Sequence, residues 1–161
     1  MMICGWSCVC WGYPNYGKPF SHRDVFAAHQ AAVAAGLHVA HYFLFGGPGE
    51  TPKTLAESFF HMDGLEKAVL FVFCGMRIFP HTPLYEIALK DGQISFHQSI
   101  LEPVFFQPPS ISLSDIARQV EARAQGKEHW IMAAGGEMTS QVLARLYRRG
   151  HTGPLWEYLI P

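Results

Sequence analysis

Charge is scarce in this sequence. Only 16% of its 161 residues are charged and the formal net charge is −1, so it carries no basic field of the kind that draws nucleic acid or anionic lipid. The arginines that do gather, Arg145, Arg148 and Arg149, fall late in an amphipathic segment and are expected at a solvated helix end. No nucleic-acid partner and no membrane partner is expected. Long apolar runs are missing as well: no uncharged stretch is long enough to cross a bilayer, and no cationic segment followed by an apolar one opens the chain. The expectation is a soluble, cytoplasmic protein. Cysteine is both sparse and unevenly placed. Three of the four, Cys4, Cys8 and Cys10, crowd into the first ten residues and Cys74 sits alone in an apolar run, which is not the spread of a secreted disulfide framework.

Familiar catalytic spacings are absent too. The glycine-rich stretch around Gly46 to Gly49 lacks the Gly-Lys-Ser/Thr ending of a phosphate-binding loop, and the nine histidines include no His-x-His or HExxH pair. His38 and His41 are predicted on opposite faces of a strand. No Ser/His/Asp or Cys/His set can be assembled, so no catalytic residue is assigned.

What remains is apolar material, 49% of the chain, enough for one compact core and one domain. "SHRDVFAAHQAAVAAG" predicts a helix, with Ser21 as N-cap, Asp24 in the capping-box position and Gly36 as the stop. "LHVAHYFLFG" predicts a strand apolar on both faces, as in a parallel sheet covered by helices. In "TPKTLAESFFHMDGL" Thr51 caps, Pro52 takes the first helical position, and Leu55, Phe59 and Met62 share one face, leaving Glu57 and Asp63 on a solvated side. "AVLFVFCGMRIF" predicts a second strand, and "TPLYEIALKDG" repeats the Thr-Pro helix opening. "SLSDIARQVEARAQG" and "MTSQVLARLYRRG" predict further helices, and "HWIMAAG" a strand or a buried connector. Phe71, Phe73 and Phe79 are expected in the core. The alternation defines an α/β class with a parallel sheet, but two clear strands, 39–46 and 68–79, are too few, and each is expected to lack a neighbour on at least one edge. Between strand and helix lies "GGPGE", Gly46 to Glu50, equally suited to a tight turn and to a ligand loop of bare backbone with one carboxylate.

The blocks "AGLHVAHYFLFGGPGETPKTLAES" and "GMRIFPHTPLYEIALKDG", in this order and spacing, resemble the later half of the catalytic barrel of radical S-adenosylmethionine enzymes. The likeness is to the branch that usually carries an N-terminal cobalamin-binding domain, including members of lipid biosynthesis; it runs from about Gly17 onward and takes in "RLYRRGHTGPLWEYL" near the end. It implies an incomplete (β/α) TIM-type barrel with C-terminal helices over residues 18–161, preceded by a cysteine-containing leader, 1–17. By resemblance the cofactor-binding set is Phe43, Phe45, Gly46, Gly47 and Glu50, then Arg77, Ile78 and Phe79. Phe45 would lie against the adenine, Glu50 would tie down the loop, the backbone of Arg77 to Phe79 would line the adenine, and Arg77 would reach a carboxylate or ribose oxygen. His81 stands where the family usually has glycine, which predicts a strained turn before Thr82.

One departure governs the chemistry that the resemblance implies. Such enzymes hold a 4Fe-4S cluster with cysteines spaced CxxxCxxC; Cys4, Cys8 and Cys10 read CxxxCxC and lie in the wrong part of the barrel order, so no metal site is assigned. The expectation is a portion of a radical S-adenosylmethionine enzyme that is inactive alone and keeps a weak remnant of the S-adenosylmethionine site. The 4Fe-4S cluster, reductive cleavage to a 5′-deoxyadenosyl radical and cobalamin-assisted methyl transfer then belong to the parent family only. Two alternatives stand beside it: a non-catalytic half of a split protein, pairing its open edges with an N-terminal half or with itself, and a small iron-sulfur or zinc protein using the N-terminal cysteines.

Overall fold

The computed structural model describes residues 2–7, 20–99, 101–132 and 137–161, the first strand and the opening of the last helix by backbone alone. Its centre is an open parallel sheet of four strands, β1 (Met2–Ser7), β2 (Val39–Phe45), β3 (Ala68–Cys74) and β4 (Trp130–Met132), in the order β1-β2-β3-β4. The α/β class with parallel strands is therefore present. Two sequence expectations are corrected. Part of the leader, Met2–Ser7, joins the sheet beside β2, and β4 flanks β3, so neither central strand has a bare edge. β4 takes the strand alternative left open for "HWIMAAG", while β1 escaped notice because its six residues, interrupted by Gly5, do not supply the two-faced apolar run that marks a buried strand.

The helices form where their caps begin. At α1 (His22–Ala34) the Ser21 N–H donates to Asp24 Oδ2 at 2.7 Å, and Gly36 takes a φ of 72° just past the end. At α2 (Pro52–Asp63) Thr51 Oγ1 accepts the Thr54 N–H at 3.1 Å while Thr54 Oγ1 accepts the Thr51 N–H at 2.9 Å. Thr82 caps α3 (Pro83–Lys90) and Ser112 caps α4 (Leu113–Ala124) in the same manner, by accepting the Tyr85 and Asp115 N–H groups. α5 (Glu137–Arg148) and a 3₁₀ turn, Leu155–Leu159, complete the described elements, and Arg145, Arg148 and Arg149 are exposed as expected.

Alternation along the strands sorts side chains into two faces. Val39, Phe43 and Phe45 of β2, Ala68, Leu70 and Val72 of β3 and Trp130 of β4 form one core with Ala32 of α1, Leu55, Phe59 and Met62 of α2, and Ile116 and Val120 of α4. All three helices thus lie on the same side of the sheet. The opposite face presents Tyr42 paired with Phe71 and Leu44 with Phe73, the Tyr42 and Phe71 rings stacked at 4.9 Å between centroids. These rings are not core: Phe71 is half-buried, and Phe73 and Phe79 are 39% and 52% exposed, which corrects the sequence expectation. An apolar run in a strand cannot by itself say which of its two faces a helix covers.

β3 ends at Cys74, five residues before its expected end. Gly75 takes a φ of 106°, and the chain leaves the sheet to pair Arg77 with Phe105 in an antiparallel bridge. This excursion carries α3 and encloses a second small cluster of Ile78, Ala88, Ile94 and Phe106 before the chain returns through α4. No helix among the described residues is long and apolar enough to cross a membrane.

Candidate functional site

The carboxyl ends of β2 and β3 are where a parallel sheet offers backbone and loops to a ligand. Both sequence-derived blocks meet there. The Gly75 N–H donates to the Phe45 carbonyl at 2.8 Å, so the loop after β2 and the segment 75–79 after β3 lie side by side.

Within the loop, Glu50 is almost wholly enclosed, at 1% exposure. Its Oε2 accepts the Gly46 N–H at 3.3 Å and its Oε1 accepts the Thr54 hydroxyl at 2.6 Å, so one carboxylate ties the end of β2 to the first turn of α2. Burial pushes its pKa up, outweighing the opposing pull of the Thr54 and Gly46 hydrogen bonds. Both oxygens are spent on the protein's own donors. Left-handed backbone falls at Gly46 and Gly49, with φ of 89° and 81°, and not at Gly47.

Space above the loop is also used internally. A Cβ on Gly46 would stand 2.4 Å from Leu113 Cδ2, and one on Gly75 would stand 3.1 Å from Phe105 Cδ1. Both glycines also have left-handed backbone, at φ of 89° and 106°, so conformation and the Leu113 and Phe105 side chains of the returning segment together favour a bare position. Neither residue carried a signal in the sequence, since each lies far along the chain from the glycine it covers.

The remaining assigned residues divide by face. Phe43 and Phe45 are 1% exposed and stack within the core on the helix side, at 6.3 Å between rings, with Phe59 edge-on to Phe45. Their rings do not look onto the open face. Ile78 is buried in the excursion's own cluster. Arg77 and Phe79 are exposed, with the guanidinium 5.0 Å from the Phe79 ring centroid. On the open face the aromatic groups nearest this end are Tyr42, Phe71 and Phe73. For an adenosine moiety the eligible groups are therefore these rings, Arg77 and the backbone of 46–47 and 77–79, while Phe43 and Phe45 do not suit contact with it.

A cleft of about 350 Å³ opens at the other end of the sheet, before β3 and β4, lined in part by Asp63, Lys67, Lys127, His129 and Trp130. Asp63 is not simply solvated. It accepts from Lys127 Nζ at 2.6 Å and pairs with Arg123, and these bonds hold its carboxyl low against the upward pull of burial. The Lys127 ammonium also lies 4.3 Å from the Trp130 ring centroid. With its charges mutually engaged, this corner clamps α2 to the end of α4.

Other ionisable groups are held in the core. His41 is buried and lies 3.1 Å, Nε2 to Nδ1, from buried His29 on α1, whereas exposed His38 pairs with Glu157 at 3.4 Å. Cys74 faces the helix side, where burial and the Glu121 carboxylate push its thiol up to about 11. Such a thiol is inert at neutral pH. Among the described residues no group of three or more His, Cys, Asp or Glu is placed to hold a metal ion; Cys8 and Cys10 lie outside the described residues, and Cys4 is known by its backbone alone.

No protein-family model matches this chain, and no curated protein matches it.

Proposed function

We propose that this chain is the carboxyl-terminal part of a radical S-adenosylmethionine-type barrel of the cobalamin-associated branch, non-catalytic by itself and completed by a second polypeptide surface on its open face. The observation that carries the proposal is the strand order: four parallel strands in sequential order, with α1, α2 and α4 on one side only. A doubly wound sheet reverses its order and is covered on both faces, whereas a segment of a β/α barrel runs sequentially and keeps its inner face for barrel packing. Tyr42, Leu44, Phe71 and Phe73 occupy that inner face here.

In this reading the parent's cofactors divide between two surfaces. The 4Fe-4S cluster, and cobalamin where it is used, would be held by the complementary half, since this sequence has no CxxxCxxC. S-adenosylmethionine, when bound, supplies the radical or methyl group. This chain's part is to present the backbone at 46–47 and 77–79, the Arg77 cation and the aromatic face to the adenosine end. Glu50 acts indirectly, by fixing the end of β2 through Gly46 and Thr54. Contacts to the adenosine end alone, without a cluster to chelate the amino acid end, correspond to roughly millimolar affinity, about −4 kcal/mol.

Ligand-observed NMR with S-adenosylhomocysteine tests this proposal. The expected result is saturation transfer to the adenine protons that is weakened in Arg77→Ala and lost in Gly47→Val, with circular dichroism verifying that both variants fold. No transfer with the unaltered chain, or equal transfer from all three proteins, would remove the adenosine-site reading.

A further inference from the structure

The structure holds a second ionisable assembly, remote from the loop ends and unused by the proposed function. α1 buries only two side chains fully, His29 and Ala32, with Phe26 and Val33 packed at the core's margin. His29 is therefore the one large side chain that α1 sinks completely into the interior, and what it meets there is another imidazole, His41 of β2. An alanine-rich helix with so small an apolar anchorage is held on the sheet by few contacts, and those through His29 are polar.

The geometry fixes how this pair can titrate. At 3.1 Å, one ring must donate and the other accept, so at least one must be neutral. A single added proton places an unpaired charge in the core. A second puts N–H against N–H and ends the hydrogen bond. The His29 ring also hydrogen-bonds the Glu66 backbone, a contact that favours its charged form but is outweighed by burial.

The surroundings offer no counter-charge. Beyond Phe26, the rings of His22 on α1 and His61 on α2 lie against each other at 3.7 Å between centroids. The other ionisable residues are Arg23 and Asp24 on α1, with Asp24 committed to the Ser21 cap, Lys53, Glu57 and Asp63 on α2, and Glu66 and Lys67 in the turn before β3, both exposed. Lys53 and Glu57 pair with each other, and Asp63 is held by Arg123 and Lys127. From the sheet, β1 places Cys4 at the register position beside His41, and β3 places apolar Leu70 there. Among the described residues no ion pair joins His29 or His41 to a carboxylate.

We propose that the buried His29–His41 pair is an acid-released latch: as the rings take up protons, α1 detaches from the sheet and uncovers the core beside β1 and β2 while α2 and α4 stay docked. The direction of the effect follows from burial. Desolvation and the neighbouring imidazole lower His41 from its ordinary value of 6.5 to about 4, and burial lowers His29 as well. A depressed histidine pKa means that the folded state prefers the neutral ring. The stability so contributed is complete above pH 6.5 and is lost progressively as pH falls toward 4. The upper part of this window, between pH 6.5 and about 5, lies above the range in which ordinary carboxylates titrate, so the latch begins to act before general acid denaturation.

Hydrogen–deuterium exchange of the full chain between pH 7.5 and 5, corrected for intrinsic rates, reads the latch element by element. The expected result is that protection of residues 22–34 falls at least tenfold more than that of 113–124 across this range. In the double variant His29→Leu/His41→Leu, which replaces both partners with apolar groups of similar size, this extra loss should vanish. Equal loss in both helices of the unaltered chain, or an unchanged pH response in the double variant, would overturn the proposal. Should the double variant not fold, the imidazole resonances of the unaltered chain decide: His41 remaining neutral below pH 5.5 while α1 is protected supports the latch, and a titration near 6.5 with α1 still protected overturns it.

Discussion

Glu50 shows most plainly how a residue selected for one role can be occupied by another. The sequence marks it because a lone acid follows three glycines and a proline, and the resemblance gives it the task of tying down the loop. In the structure its two oxygens accept from Gly46 and Thr54 with almost no exposure. Glu50→Ala would leave the buried Gly46 N–H without its acceptor, at about 1–3 kcal/mol before relaxation, while the Thr54 hydroxyl keeps the Thr51 carbonyl at 3.0 Å. The expected outcome is a fall of about 1–3 kcal/mol in unfolding free energy by urea titration, with Glu50→Gln recovering part of it. A change under about 0.5 kcal/mol in Glu50→Ala would mean that water reaches these groups in the folded state. The glycines beside it were legible as special but not as packing sites. Gly46 combines a left-handed backbone with the Leu113 side chain over it, and no local pattern announces a neighbour so distant in sequence.

At the scale of elements, the caps were the most readable feature. Thr51, Thr82 and Ser112 each accept an N–H in the first turn of their helices, and Asp24 accepts the Ser21 N–H at α1; these are local hydrogen bonds that residue type and spacing dictate. The strands were readable only where their sequence is apolar on both faces. β2 and the start of β3 gave long apolar runs, whereas β1 and β4 gain their order from hydrogen bonds to β2 and β3 and left little trace in composition. The turn into α3 carries a local conflict visible in the sequence and in the structure. His81, expected to strain this turn, adopts a φ of 59°, a left-handed conformation that favours glycine. His81→Gly should relieve that strain at the expense of a more flexible unfolded chain, for a net gain of about 0.5–1 kcal/mol in a thermal or urea midpoint. A loss of stability would show that the His81 side chain makes a compensating contact.

Across the whole molecule, the class was legible and the completeness of the sheet was not. Alternating helix and strand signals identify a parallel α/β arrangement, but the sequence cannot show on which face the helices gather, because a strand's two faces are equally apolar here. Their gathering on one side leaves Tyr42, Leu44, Phe71 and Phe73 on the other, with Phe79 and Phe105 exposed near the carboxyl end. Contiguous apolar surface of this kind is a mark of an interaction face. The proposed partial barrel accounts for it: this is the surface that complementary strands would cover, and in their absence a second copy is the available substitute. Association should therefore proceed through the face and not, as the two-strand expectation had it, through bare edges of β2 and β3.

Sedimentation velocity over a hundredfold range of concentration, comparing the unaltered chain with Phe73→Lys, addresses that claim most directly. The account predicts concentration-dependent association of the unaltered chain and a monomer for Phe73→Lys with the same far-ultraviolet circular dichroism, because one charge at the centre of the aromatic face must be desolvated on pairing. An unaltered chain that stays monodisperse and monomeric throughout, or a Phe73→Lys variant that associates equally well, would contradict it.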